Sequence, residues 1–248
     1  MTARDRVLAL LAERPTDTSG PWLDLVHGRP GSRGRVQELW ESASGASGYD
    51  GVLALGDRVE AYVPGLVGGA ALRDFYRVDE RLGLVGGETV LDLACGPGTL
   101  TRRLARAVGR RGLVIGADLS EPMLARAARS TAFAQVDFAR LDAMDLPFTD
   151  AAIDAVSCSM CLHLVPDLVT TLRGIARVLR PSGPVAFAVP AHAPGPLRPF
   201  SDLFARVGQA RLFGPGDLSG VLRDLGFTGV EERWLGGVRV VDASAPPS

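Results

Sequence analysis

Thr89-Val-Leu-Asp-Leu-Ala-Cys-Gly-Pro-Gly-Thr99 decides how this chain folds. Its first half is the short, almost wholly apolar run of a buried parallel strand, interrupted by Asp92. Gly96 and Gly98 then turn the chain, and apolar residues at helical spacing (Leu100, Leu104, Ala105, Val108) follow at once. Strand, glycine turn and helix start together make a nucleotide site. Glycines let a ligand approach the backbone, and the first turn of a helix offers unpaired N–H groups. Which nucleotide it takes rests on the carboxylates around the turn.

Outward from this stretch the texture is consistent. From Glu88, strand candidates Thr89–Ala94, Leu113–Ala117, Val136–Leu141, Ile153–Met160 and Val185–Val189 alternate with helices over Thr99–Val108, Glu121–Ser130 and Leu168–Leu179. Pro181-Ser-Gly-Pro184 punctuates the last crossover. Helical patterns at Pro199–Arg211 and Asp217–Leu225 and two short strands, Gly229–Leu235 and Gly237–Val241, finish the chain. The alternation predicts an α/β fold: a mostly parallel, seven-stranded, Rossmann-like sheet flanked by helices, over residues 86–248. Residues 1–85 read as a helical amino-terminal cap, with helices at Arg4–Arg14, Val36–Ser42, Leu53–Val63 and Gly69–Leu84 and a small-residue linker at Ser42–Gly48.

Composition narrows the partners. The chain has 248 residues, 46% hydrophobic, with a formal net charge of −1 and a mean hydropathy of +0.15. It suits a packed globule and offers no basic field for nucleic acid or an anionic membrane surface. Every basic side chain is arginine; there is no lysine. No stretch reaches the roughly 18 apolar residues of a membrane span, and no cationic leader opens the chain, so a cytoplasmic location is expected. Cys95, Cys158 and Cys161 are too few for a disulfide framework and lack zinc-site spacing; no metal is expected. Cys158-Ser-Met-Cys161 has C-x-x-C form, but it lies in an apolar strand-like run and not at a helix start, where thiolates are activated.

Parallel sheets bind ligands at the carboxyl ends of their strands, near the topological switch point. Four strand ends here bear polar or small residues: Asp92 with Gly96 and Gly98, Asp118, Asp142-Ala143, and Ser157-Cys158-Ser159. Asp118 stands 20 residues beyond Gly98, a spacing that suits a carboxylate on ribose hydroxyls. A dinucleotide fingerprint needs a third glycine where Thr101 stands, and a phosphate-binding P-loop needs a lysine. Asp92 beside the turn would also repel a pyrophosphate. A phosphate-free ligand with a cationic end fits better, and S-adenosylmethionine is such a ligand.

With these residues in place, the chain resembles the class I S-adenosylmethionine-dependent methyltransferases, in their small-molecule branch that includes quinone and natural-product enzymes. The resemblance covers about residues 88–188 and rests on five ordered matches. They are Asp92-Leu-Ala-Cys-Gly-Pro-Gly98 (with Ala94 for the usual first glycine), Asp118 followed by Leu119-Ser-Glu-Pro-Met-Leu124, Asp142-Ala143 before Leu146-Pro-Phe148, Ile153–Asp167, and Val178-Leu-Arg-Pro-Ser-Gly183. The resemblance implies that the turn Asp92, Ala94, Cys95, Gly96 and Gly98 holds the methionine and ribose portion. It assigns Asp118 to the ribose hydroxyls and Asp142 with the Ala143 N–H to the adenine edge. Leu119 and Met123 would wall the adenine, and Cys158 or Ser157 lines the sulfonium or simply packs in the strand.

Methyl transfer needs in-line attack on the sulfonium methyl and works largely by alignment; a base is needed only for a protonated hydroxyl or a carbon acid. His163, after the fourth strand of the match, and His192, after the fifth, are the candidates. Leu164 stands where the family often has a second polar residue; His27 lies in the unmatched amino-terminal region. Acceptor selection falls to Tyr49, Tyr62, Phe75, Tyr76, Phe200, Phe204 and Phe213, outside the match; together they favour a small, fairly apolar acceptor over RNA. A non-methylating protein of the same fold (a cyclase or a regulatory binder) and an RNA or protein methyltransferase are the alternatives. The sequence admits a homodimer without specifying one.

Overall fold

In a computed structural model the described residues are 1–26, 77–192, 195, 198–199, 202, 205–206, 211–235 and 237–248. They form an eight-stranded sheet. Helix α1 (Ala3–Leu8) leads to β1 (Leu23–Asp24); α2 (Val78–Arg81) precedes β2 (Thr89–Leu93); α3 (Thr99–Val108), β3 (Leu113–Asp118), α4 (Glu121–Ser130) and β4 (Val136–Arg140) follow. Then come β5 (Ala155–Ser159), α5 (Leu168–Val178), β6 (Pro184–Pro190), α6 (Asp217–Asp224), β7 (Thr228–Leu235) and β8 (Val238–Ser244). The strand order is β1-β4-β3-β2-β5-β6-β8-β7, parallel from β1 to β6, with β8 antiparallel to both β6 and β7.

Strand parity separates the two faces. On β2, Val90 joins Val114, Ala155 and Ala186 on one face, covered by Leu100, Leu104, Ala105 and Val108 of α3 and by Val78 and Leu82 at α2. Leu91 and Leu93 point the other way, onto the larger core with Leu168, Leu172, Ile175 and Val178 of α5. The helix starts are capped as their sequences direct: Ser120 accepts from the Met123 N–H before α4, and Asp167 accepts from the Thr170 N–H before α5.

The sheet departs from the seven strands expected. Leu23–Asp24 pairs in parallel with Ala139–Arg140 and adds an eighth. Two residues carry no periodic signal; their tertiary contacts decide them. Leu23 is buried, and Asp24 accepts from Arg140 at 3.1 Å. Helix α1 ends at Leu8, short of the expected Arg14, because the chain turns there to pair Leu11 with Phe148. β8 runs to Ser244 instead of Val241: Asp242, which looks like a strand stop, is paired with Arg233 at 2.6 Å and Arg81 at 3.3 Å. The helices expected at 36–42 and 53–63, the linker at 42–48, the first part of the one at 69–84, most of the one at 199–211, and His27, Tyr49, Tyr62, Phe75, Tyr76, Phe200 and Phe204 lie outside the described residues. Among the described residues no helix is long and apolar enough to cross a membrane.

Candidate active site

The strand order reverses its direction of growth at β2, which lies between β3 and β5. The crevice at that switch point is where the carboxylates gather. Asp92 shares its parity with Val90 and so faces α3, in register with Gly116 of β3 and Ser157 of β5. It is 1% exposed, and its Oδ2 accepts from the Thr101 hydroxyl at 2.6 Å. Burial pushes its pKa up to about 6, opposed by the Thr101 and Ser157 hydroxyls and reinforced by the charge of Asp118. Thr101 is the residue whose functional part sequence reading missed: it counted only as the place where a glycine was wanting. Helical spacing put it on the inner face of α3, the one available signal.

Beyond Asp92 the turn is made by three residues with positive φ: Ala94 at 61°, Gly96 at 52° and Gly98 at 77°. Ala94 holds a left-handed conformation that disfavours any side chain. The two glycines serve different ends. A methyl on Gly98 would sit 3.1 Å from Cβ of Ala127, so this glycine lets α3 and α4 approach. A methyl on Gly96 would meet nothing within 4 Å, so the backbone there faces open space.

The carboxylate of Asp118, half-buried at the end of β3, is tied to the same turn. Its Oδ2 accepts from the Gly96 N–H at 2.8 Å and its Oδ1 from the Ser120 N–H at 2.9 Å. Burial raises its pKa while these backbone donors lower it. Each oxygen retains a lone pair for a ligand hydroxyl. Asp142 bends the chain after β4, its Oδ1 accepting from the Met144 N–H at 2.9 Å, with partly buried Ala143 beside it on the core. Leu119 lies half-buried next to Asp118, and Met123 is buried on α4.

All three cysteines are buried. Cys95 is 6% exposed and Cys158 not exposed at all. Burial pushes the Cys95 thiol up, and the Cys161 thiol, hydrogen-bonded to Cys158, and burial push the Cys158 thiol up. His163 and His192 lie past the ends of β5 and β6, but in different settings. His163 is half-buried, its Nδ1 has no hydrogen-bond partner, and burial lowers its pKa to about 4, which keeps it neutral at pH 7. His192 keeps 28% of its side chain exposed, with Nδ1 2.7 Å from Oδ1 of Asp202. Phe213, expected at the acceptor, is 1% exposed and belongs to the core.

These groups fit S-adenosylmethionine. The open backbone at Gly96, the ribose-competent Asp118 and a crevice of carboxylates without a lysine suit a cationic ligand that carries no phosphate.

Comparison with known proteins agrees. Residues 90–183 match the family model of a methyltransferase domain. The chain is 44% identical over 130 residues to a 2-phytyl-1,4-naphtoquinone methyltransferase of Synechococcus elongatus, covering 51% of this chain and 53% of that one. It is 34% identical over 168 residues to a demethylmenaquinone methyltransferase of Lactococcus lactis, covering 66% and 61%. The chain thus spans just over half the length of these relatives. A solved SAM dependent methyltransferase from Aquifex aeolicus shares the fold, with a TM-score of 0.57 at 22% identity over 68% of this chain and 88% of that one.

Proposed function

We propose that this chain, whose residues 90–183 match the model of a methyltransferase domain, is a class I enzyme that moves a methyl group from S-adenosylmethionine to a small, quinone-like metabolite. The observation that carries the reading is the Asp118 carboxylate, held by the Gly96 and Ser120 N–H groups beside an open glycine turn. One hydrogen bond thus couples the acid that would take the ribose to the turn that would take the methionine portion. Asp142 and the Ala143 N–H would meet the adenine edge, with Leu119 and Met123 as its apolar wall. Asp92 works from inside, fixing α3 to the turn through Thr101. Bound there, the cofactor supplies an electrophilic methyl on a sulfonium; the protein aligns the acceptor and excludes water. The quinone methyltransferases among the relatives support the acceptor class. Three buried, unlinked cysteines suit a reducing compartment, and we place the reaction in the cytoplasm.

Titration calorimetry with S-adenosylmethionine and its demethylated product tests the donor. Incubation with methyl-labelled cofactor and a metabolite extract tests the transfer. Binding of both, and label in an aromatic small molecule, are expected. Absence of binding overturns the reading; binding without transfer to any extract points to a regulatory binder or cyclase.

A further inference from the structure

We propose that His192, oriented by Asp202, takes the proton of a ring hydroxyl on the methyl acceptor, and that Arg206 receives an anionic group of the same molecule. This rests on the methyl-transfer reading above. The placement comes first. His192 lies two residues past β6, and β6 runs parallel to β5, which runs parallel to β2, so all three point their carboxyl ends to one edge. Two strand spacings put β6 about 10 Å from β2, the reach of one acceptor beside a cofactor. The chain returns to the same edge: the Phe213 N–H donates to the Pro190 carbonyl and the Arg211 N–H to the His163 carbonyl, both at 3.0 Å. The excursion from 190 to 213 therefore starts and ends over the crevice.

The chemistry follows from the pairing. A carboxylate at Nδ1 accepts that nitrogen's proton in a hydrogen bond and leaves the Nε2 lone pair as the acceptor. His163, the other histidine of the edge, has no such partner on Nδ1. Arg198, Asp202 and Arg206 each have helical backbone. With Gly195 and Pro199 they line a cleft of about 460 Å³, within the range of small-molecule sites. Nε of Arg198 lies 3.8 Å from Oδ2 of Asp202. Arg206 is exposed and makes no ion pair among the described residues. Arg206 lines this cleft together with Asp202, the carboxylate that holds the imidazole, and this pairing suits an aromatic ring that bears both a hydroxyl and a carboxylate. In the step, the hydroxyl proton passes to Nε2. The freed electron pair, on oxygen or through the ring on a conjugated carbon, forms the new bond to the methyl carbon. The carbon–sulfur pair stays on sulfur as a neutral thioether. A methylated ring carbon then sheds its own proton to water while the ring oxygen regains one, and the imidazolium passes its proton to solvent, so that one proton is released for each methyl transferred.

The test uses 1,4-dihydroxy-2-naphthoate and 1,4-dihydroxynaphthalene as acceptors, kept reduced, with the full chain and its variants. The wild type is expected to methylate the naphthoate with a kcat/KM at least tenfold above that of the diol. His192→Gln should lower kcat by a hundredfold or more, the scale of a lost general base, while its melting temperature and cofactor affinity stay at wild-type values. Asp202→Asn should lower kcat about tenfold with KM little changed, and Asp202→Glu should recover part of it. Arg206→Gln should shrink the naphthoate preference at least fivefold. A His192→Gln kcat within threefold of wild type overturns the base. An unchanged preference in Arg206→Gln, or a wild type that binds the cofactor and methylates neither probe, overturns the acceptor assignment. Failure of the wild type to bind the cofactor strikes the methyl-transfer reading itself.

Discussion

A single buried carboxylate shows how local chemistry and stability are joined in this molecule. Asp92 is worth keeping inside because Thr101 answers it. Thr101→Val, which keeps shape and removes the donor, should cost about 1–3 kcal/mol in urea unfolding, since a buried acceptor loses its partner. Asp92 also titrates against His163. With a folded pKa of about 6 and an unfolded value near 3.9, Asp92 binds more protons folded than unfolded between about pH 4 and 6. Its contribution to stability therefore falls as pH rises through that window. His163, about 4 when folded and near 6.5 unfolded, binds fewer protons folded, so its contribution rises with pH over much the same range. The two slopes oppose. Asp92→Asn should leave a stability that rises from pH 4 to 6.5, and His163→Gln one that falls; identical slopes in both variants would contradict the assignment. At the ligand edge, Asp118→Ala should weaken cofactor binding by about 1–3 kcal/mol by calorimetry, the scale of charge-assisted hydrogen bonds. The aspartates were legible from their place after apolar runs. Thr101 and Asp202 were not, because each acts on a partner nine or ten residues away, at a distance only the folded turn or helix sets.

Among the elements, the edge of the sheet at β1 is the least predictable and the most dependent on charge. Two residues make too short a ladder to hold alone. Arg4 of α1 forks onto both oxygens of Asp137 in β4, at 3.0 Å each, and Arg140 grips Asp24. Asp137→Asn should lower stability by about 2–3 kcal/mol, as a half-buried guanidinium loses its counter-charge, and limited proteolysis should then cut within the first 26 residues. The inner elements behave otherwise. β2, β3, β5 and β6 announce themselves as buried apolar runs because both their faces are covered. Leu23–Asp24 has no such run to announce. Its place follows from pairing with β4, which no window of local sequence contains.

Across the whole molecule, the reversal of strand order at β2 collects the carboxylates, and the histidines follow on the next two strands outward. That layout was readable, since alternating strands and helices leave few topologies and one ligand-bearing edge. The acceptor side was less so, because aromatic residues outside regular elements carry no period; Phe213 proved to be core. One further consequence lies in the antiparallel β8. It starts opposite Pro190 at the crevice and finishes opposite Pro184 at the far edge, where the Ala245 N–H is bound by the Gly183 carbonyl. The stretch after Ser244 is thereby delivered to the edge of the sheet opposite the crevice. A surface-tethering tag placed after Ser248 should leave the crevice facing the bulk liquid. Cofactor affinity measured on a sensor chip through such a tag should match the value in free solution within about twofold, a fraction of one tenfold step of 1.4 kcal/mol.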